Sequence, residues 1–99
     1  HVSPPLKGYI VDLATATRGH AGLALGMSPR AALALQRASR SRAASLGRDY
    51  VLPDDVKILA RPVLGHRLLL TPEAALGGTE VDELVDEVLA SVPVPAGRT

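Results

Sequence analysis

Residues 28–47, SPRAALALQRASRSRAASLG, decide how this chain folds. Ser28 is suited to a helix N-cap, because its hydroxyl can accept from a free N–H of the first turn. Pro29 is suited to the first helical position, where no N–H is needed. The interior is dominated by Ala, Leu, Arg and Gln, all good helix formers, and Gly47 marks the stop. The stretch predicts a helix over 29–46. At 100° per residue, Ala31, Ala32, Leu35, Ala38 and Leu46 share one broad apolar face, while Arg30 and Arg37 fall within about 20° of one another on a different face. Arg42 lies angularly among the apolar set. It has to snorkel or find a partner, because an unpaired buried charge is expensive.

Outward from this helix the same signals recur. Ser3 followed by Pro4 opens a first helix over 4–18, with Leu6, Tyr9, Ile10, Leu13 and Ala14 at helical spacing and Arg18-Gly19 at its end. Residues 20–27 read as a glycine-punctuated loop. After Gly47, Tyr50-Val51-Leu52 is a short extended link. A third helix is expected over 53–64, with Asp54 and Asp55 in the first turn, where the helix dipole favours them. Its stripe is Val56, Leu59, Ala60, Val63 and Leu64, and Pro62 predicts a kink or break near Ala60-Arg61. Residues 66–71 read as extended, and Leu68-Leu69-Leu70 is too short to decide between strand and buried coil. Gly77-Gly78 frees the chain to turn. A fourth helix over 80–91 carries Val81, Leu84, Val85, Val88 and Leu89, with Thr79 and Asp82 resembling a capping box. Pro93 and Pro95 prevent its continuation, and residues 93–99 are expected to be a mobile tail. The fold class expected is all-α, a small bundle of four main helices in one domain spanning 1–99.

Composition agrees. The chain has 99 residues, 46% hydrophobic but only 2% aromatic, so its core has to be aliphatic. Ala (15) and Leu (16) favour helix over sheet. The absence of cysteine excludes disulfide scaffolds, thiolate metal sites and cysteine nucleophiles. No apolar run approaches the ~18 residues of a membrane span, and the start is not a signal peptide. A cytoplasmic domain is expected, and the opening without Met suggests a fragment of something longer. The net charge of +1 hides segregation. No acid occurs between Asp12 and Asp49, a stretch holding Arg18, Arg30, Arg37, Arg40, Arg42 and Arg48, whereas Glu73, Glu80, Asp82, Glu83, Asp86 and Glu87 face only Arg98. An anionic partner for the first half follows from that asymmetry.

Catalysis by the chain itself is not supported. His1, His20 and His66 lack metal-ligand spacing, so no metal site is expected. Asp54 and Asp55 are adjacent and do not face one another on a helix. Nucleophile elbows and glycine-rich phosphate loops are absent. One placement is unusual: Arg30 sits in the first turn of its helix, at the positive end of the dipole, where a cation gains nothing. An anion there would meet both backbone N–H groups and the guanidinium fork. The alternative is a solvated arginine that happens to follow Ser-Pro.

Ser28-Pro29-Arg30-Ala31 resembles the sensor-2 segment, GxSPRA, of the MoxR family of AAA+ ATPases. The resemblance continues through Gly47-Arg48-Asp49-Tyr50-Val51, Pro53-Asp54-Asp55-Val56-Lys57 and Pro62-Val63-Leu64-Gly65-His66-Arg67-Leu68. It covers roughly residues 5 to 92, in family order and spacing. It implies the C-terminal helical lid of such an ATPase, separated from its nucleotide-binding core. By resemblance Arg30 is the nucleotide-binding arginine that contacts the γ-phosphate, with Ser28 and Pro29 setting its approach. Tyr9 and Ile10 would border the adenine, against the alternative that both simply pack in the core. ATP and Mg2+ would belong to the full-length parent, a hexameric, chaperone-like machine whose partners include proteins with von Willebrand factor A domains. The family's Walker A and B motifs are missing, so hydrolysis by this chain alone is not expected. Two positions depart from the family: Leu52 stands where Thr or Ser is common, and Arg42 where an apolar or small residue is common. Two other readings stay open. One is a small nucleic-acid-binding helical module, disfavoured because its reading helix would begin Pro53-Asp54-Asp55. The other is a protein-interaction adaptor using the acidic fourth helix.

Overall fold

Short polar side chains followed by proline set the starting points of the helices in the computed structural model, which describes residues 2–95. Ser3 Oγ accepts from the Leu6 N–H (3.4 Å) to open α1, Pro4–Arg18. Ser28 Oγ accepts from the Ala31 N–H (3.0 Å) to open α2, Pro29–Ser45. Two helices lack a hydroxyl cap and use a carboxylate from their own first turn instead. In α3, Pro53–Leu64, Asp55 accepts from the Leu52 N–H (2.8 Å).

The chain then passes through a five-residue helix, α4, Pro72–Leu76, to α5, Val81–Ser91. At the start of α5, Glu83 accepts from the Glu80 N–H (2.8 Å). This places the cap at Glu80, one residue later than the Thr79–Asp82 box expected from sequence, because Glu reaches back to the cap N–H where the shorter Asp does not.

The four long helices form an all-α bundle. α2 packs chiefly on α3, α3 on α5, α5 on α1 and α1 on α2, closing a ring around an aliphatic core. Leu6, Leu13, Leu35, Val56, Leu84 and Val85 are each at most 3% exposed. Burial of side chains like these contributes about 1.5–3 kcal/mol apiece.

Several local expectations are corrected. Residues 20–27 are not all loop: Leu23–Leu25 form β1, which pairs antiparallel with β2, Leu69–Leu70. Leu68-Leu69-Leu70 therefore resolves in favour of a strand, and Thr71 N–H extends the ladder to Gly22 O (2.9 Å). α4 follows from a signal that could have been read: Thr71-Pro72 repeats the Ser-Pro device, with Thr71 Oγ1 accepting from the Ala74 N–H (3.2 Å).

Pro62 does not break α3. It sits on the exposed side of the last turn, and the carbonyl it leaves without a helical donor belongs to Ile58, 52% exposed and open to water. Leu46, expected on the apolar face, is 55% exposed because it is the C-cap of α2, beyond the packed turns. The buried row of α2 is instead Ala31, Leu35, Ser39 and Ala43. The Ser39 hydroxyl is satisfied by donating to Leu35 O (2.7 Å). The tail expectation for residues 96–99 lies outside the described residues, as does His1.

Candidate functional site

Of the residues singled out from sequence, Ser28, Pro29 and Arg30 lie where the last turn of α1 meets the first turn of α2, whereas Tyr9 and Ile10 lie in the middle of α1. α1 ends in Thr17 and Arg18, and the chain returns through the β1 turn to lie against them. Gly26 is flush with that turn: a Cβ on it would stand 2.7 Å from Arg18 N and 2.8 Å from Thr17 C, both backbone atoms. Met27 follows, 1% exposed, with its N–H donated to Thr17 Oγ1 (2.8 Å) and its carbonyl accepting from Arg18 Nε (3.0 Å). The Thr17 hydroxyl spends its one proton on Ala14 O (2.7 Å), which leaves a lone pair for Met27. Sequence reasoning missed both residues, although Thr17 continues the Leu13, Ala14 spacing and a buried hydroxyl has to be bonded.

Ser28 and Pro29 then launch α2. Pro29 has no N–H, Ala31 N–H goes to Ser28 Oγ and Ala32 N–H to Ser28 O (3.0 Å). The Arg30 side chain is exposed and makes no hydrogen bond or ion pair among the described residues. A guanidinium at the positive end of a helix, with nothing intramolecular to neutralise it, is a ready contact for an anion. Beside it an open groove of ≈ 430 Å³ runs between α1 and α2, floored by Ile10, Ala14 and Ala32 and flanked by Lys7, Arg18 and Pro29.

Ile10 (3% exposed) thus reaches the groove from the core side, while Tyr9 (2%) is core. The Tyr9 hydroxyl has no hydrogen-bond partner among the described residues, and burial raises its pKa above the ordinary tyrosine value. Arg37 lies two turns along α2 from Arg30 and Arg40 one turn further; both are exposed and without a partner among the described residues.

The far end of α2 is held differently. Gly47 is left-handed (φ +80°), and the N–H groups of Gly47 and Arg48 return to Ala44 O (3.0 Å) and Ala43 O (2.9 Å). This double return aims Arg48 at α3. Its two terminal nitrogens grip the Asp55 carboxylate at 2.8 Å each, and Arg42 Nε adds a third contact at 3.1 Å. Arg42 is therefore answered: the charge misplaced in the apolar stripe of α2 meets the carboxylate buried in that of α3. The Arg48 hydrogen bonds hold the Asp55 carboxyl below the usual carboxylate range, and the same bonds raise Arg48. At the surface Arg61 pairs with Asp86, lowering that carboxyl too. His20 Nδ1 accepts from Gly22 N–H (2.9 Å), leaving Nε2 to face Glu87 (2.9 Å).

Among the described residues no three His, Asp or Glu side chains are placed to hold a metal ion, and no helix is long and apolar enough to cross a membrane.

With this geometry in place, comparison with known proteins is informative. The AAA lid domain family matches residues 15–88. YeaC of Bacillus subtilis, an uncharacterised protein, is 42% identical over 95% of this chain and 29% of its own length. The protein MoxR of Paracoccus denitrificans is 40% identical over 97% and 32%, respectively. The chaperone MoxR1 of Mycobacterium tuberculosis is 38% identical over 91% and 26%. A crystal structure of a candidate ATPase from Cytophaga hutchinsonii superposes with a TM-score of 0.87 at 33% identity, covering 94% of this chain and 31% of that one. The chain thus spans between about a quarter and a third of the length of these relatives. With the family match running from the last turn of α1 into α5, the chain belongs to the AAA lid domain family, among the lids of MoxR-type proteins.

Proposed function

We propose that this domain is the C-terminal nucleotide-sensing lid of a MoxR-type ATPase, with Arg30 as its sensor-2 arginine. The observation that carries the reading is the state of Arg30. It is exposed at the N-terminus of α2 and has no internal partner among the described residues, and the resemblance to MoxR lids implies that it faces a nucleotide.

Ser28 serves by spending its hydroxyl on the cap, so the first turn is set before any ligand arrives. Pro29 fixes φ at the step into the helix. Arg30 then presents its own N–H and its guanidinium to the terminal phosphate. Its charge is matched to the ATP state more than to the ADP state, so hydrolysis removes a contact and releases the lid. Ile10 borders the adenine side as the floor of the groove, and Tyr9 backs it from the core. The chemistry of phosphoryl transfer is supplied elsewhere in the parent, which binds ATP. Among the described residues no cluster of carboxylates fits Mg2+, and on this reading the ion belongs to the nucleotide-binding core of the parent.

On this reading the domain itself is not an enzyme. It couples hydrolysis in a cytoplasmic hexamer to chaperone-like remodelling of partners, among them proteins with von Willebrand factor A domains. The test is Arg30→Ala in the ATPase that contains this domain. The change should lower kcat by roughly 10²–10³-fold, the range seen when one preorganised charge-stabilising donor is removed. The isolated domain's melting curve should be unchanged. A variant that hydrolyses ATP like the parent and responds normally to partners overturns the assignment.

A further inference from the structure

The segment before Arg30 should be slack by composition. Residues 19–28 contain Gly19, Gly22 and Gly26, and the α2 they lead into begins with a turn that makes few hydrogen bonds of its own. It is instead held at Met27 by hydrogen bonds to two residues of α1. Both polar groups of Met27 are taken by consecutive residues of α1, the N–H by Thr17 Oγ1 and the carbonyl by Arg18 Nε. Gly26 leaves no room for a Cβ between the strand turn and the α1 backbone. The Met27 side chain is buried in the core, where it lines one small apolar cavity with Leu13, Ala60 and Val85. Ser28 and Pro29 are then the only residues between this clamp and Arg30.

We infer that Thr17 is a positioning residue for Arg30: its hydroxyl, held by Ala14 O, fixes the Met27 peptide and through it the origin of α2. The inference rests on the reading of Arg30 as the nucleotide sensor. The physical reason is geometric. Arg30 is long and exposed, and its rotamers are held by no hydrogen bond or ion pair among the described residues. What the fold can fix is the position and direction of its backbone, and an error of an ångström at a charge-stabilising group costs up to roughly 10²-fold in rate. A purely space-filling role for Thr17 is a distinct alternative, since Val has the same shape and would fill the same site. The hydroxyl separates the two.

The experiment compares Thr17→Val, which keeps the shape and loses the hydroxyl, with Thr17→Ser, which keeps the hydroxyl. Both are made in the ATPase containing the domain, alone and combined with Arg30→Ala. Thr17→Val should lower kcat by roughly 10-fold or more with KM for ATP moving less than about threefold, and Thr17→Ser should restore most of the rate. In the Arg30→Ala background Thr17→Val should cost nothing further, because the residue acts through Arg30. Arg18→Lys, which keeps the charge and loses the Nε contact, should reproduce a milder kcat loss without threatening the fold. Amide exchange on the 99-residue chain supplies a readout independent of activity: Met27 N–H should exchange at least about tenfold faster in Thr17→Val, with core amides of α3 and α5 unchanged. The inference is overturned by equal rates for Thr17→Val and the parent, by losses that multiply with Arg30→Ala, or by failure of Thr17→Ser to rescue. If Arg30→Ala itself is silent, the sensor reading fails instead, and the exchange result still reports whether Thr17 holds Met27.

Discussion

Removing the Asp55 carboxylate is the most demanding test of how the bundle is held. Asp55 is 1% exposed and accepts from Arg48 twice (2.8 Å each), from Arg42 (3.1 Å) and from the Leu52 N–H (2.8 Å). Asp55→Ala therefore removes an ion pair that ties α2 to α3 and the side-chain cap on the first turn of α3. Breaking a buried pair by deleting one partner costs about 3–5 kcal/mol when the other charge stays trapped. Here the Arg42 and Arg48 side chains are 34% and 19% exposed and can turn into water, which takes the ionic part toward the lower bound. The lost cap adds about 1 kcal/mol. A total near 3–4 kcal/mol corresponds to a Tm drop of roughly 12–30 °C for a domain of this size.

Acid supplies a second check on the same variant. A carboxyl whose folded pKa is depressed contributes stability above its unfolded pKa and loses it as pH falls through the folded value. The penalty of Asp55→Ala should then be constant from neutral pH down to about 4 and shrink below that. Far-UV circular dichroism melts of parent and variant across pH read both effects. A Tm within about 4 °C of the parent near neutral pH, or a penalty unchanged in strong acid, would refute the account.

Two further substitutions test local statements. Gly47→Ala should cost about 1–2 kcal/mol, all of it backbone strain, because φ is +80° and a Cβ there would touch nothing within 4 Å; urea denaturation with an unchanged m-value is the check. Leu46→Lys should leave stability within about 0.5 kcal/mol, since the side chain is 55% exposed at the C-cap; a larger loss in the same titration would mean that the tail of α2 is packed after all.

The fold class was legible because its evidence is local. Ser3-Pro4 and Ser28-Pro29 announce helices by chemistry confined to four residues, and the apolar stripes of α1, α3 and α5 follow from periodicity alone. What escaped notice is non-local or small. The β1–β2 ladder joins Leu23–Leu25 to Leu69–Leu70, residues more than forty apart, in strands too short for any period to show. Leu46 sits at the right angle for burial but past the end of what covers it, which angular reasoning does not see. At the site, Arg30 could be singled out because a cation at a helix N-terminus is locally unfavourable. Thr17 and Arg18 could not, because their partner Met27 is brought to them only by the turn through β1.

The misfit in the sequence, Arg42, is explained by the way α2 lies on α3. Arg42 in an apolar stripe is unfavourable alone, and it meets Asp55, an acid of the first turn of α3, once α2 lies on α3. The same contact holds Arg48, so the C-terminal end of α2 is fastened to α3 by charge, and its N-terminal end to α1 by the Met27 peptide. A helix fixed at both ends to different neighbours moves only with them. Displacing its first turn therefore strains contacts to α1, and displacing its last turn strains contacts to α3. Anchoring at one end alone would let the first turn fray and absorb the displacement. On the outer face of α2, Arg30, Arg37 and Arg40 make no hydrogen bond or ion pair among the described residues, and Asp49 lines the same open pocket as Arg37 and Arg40.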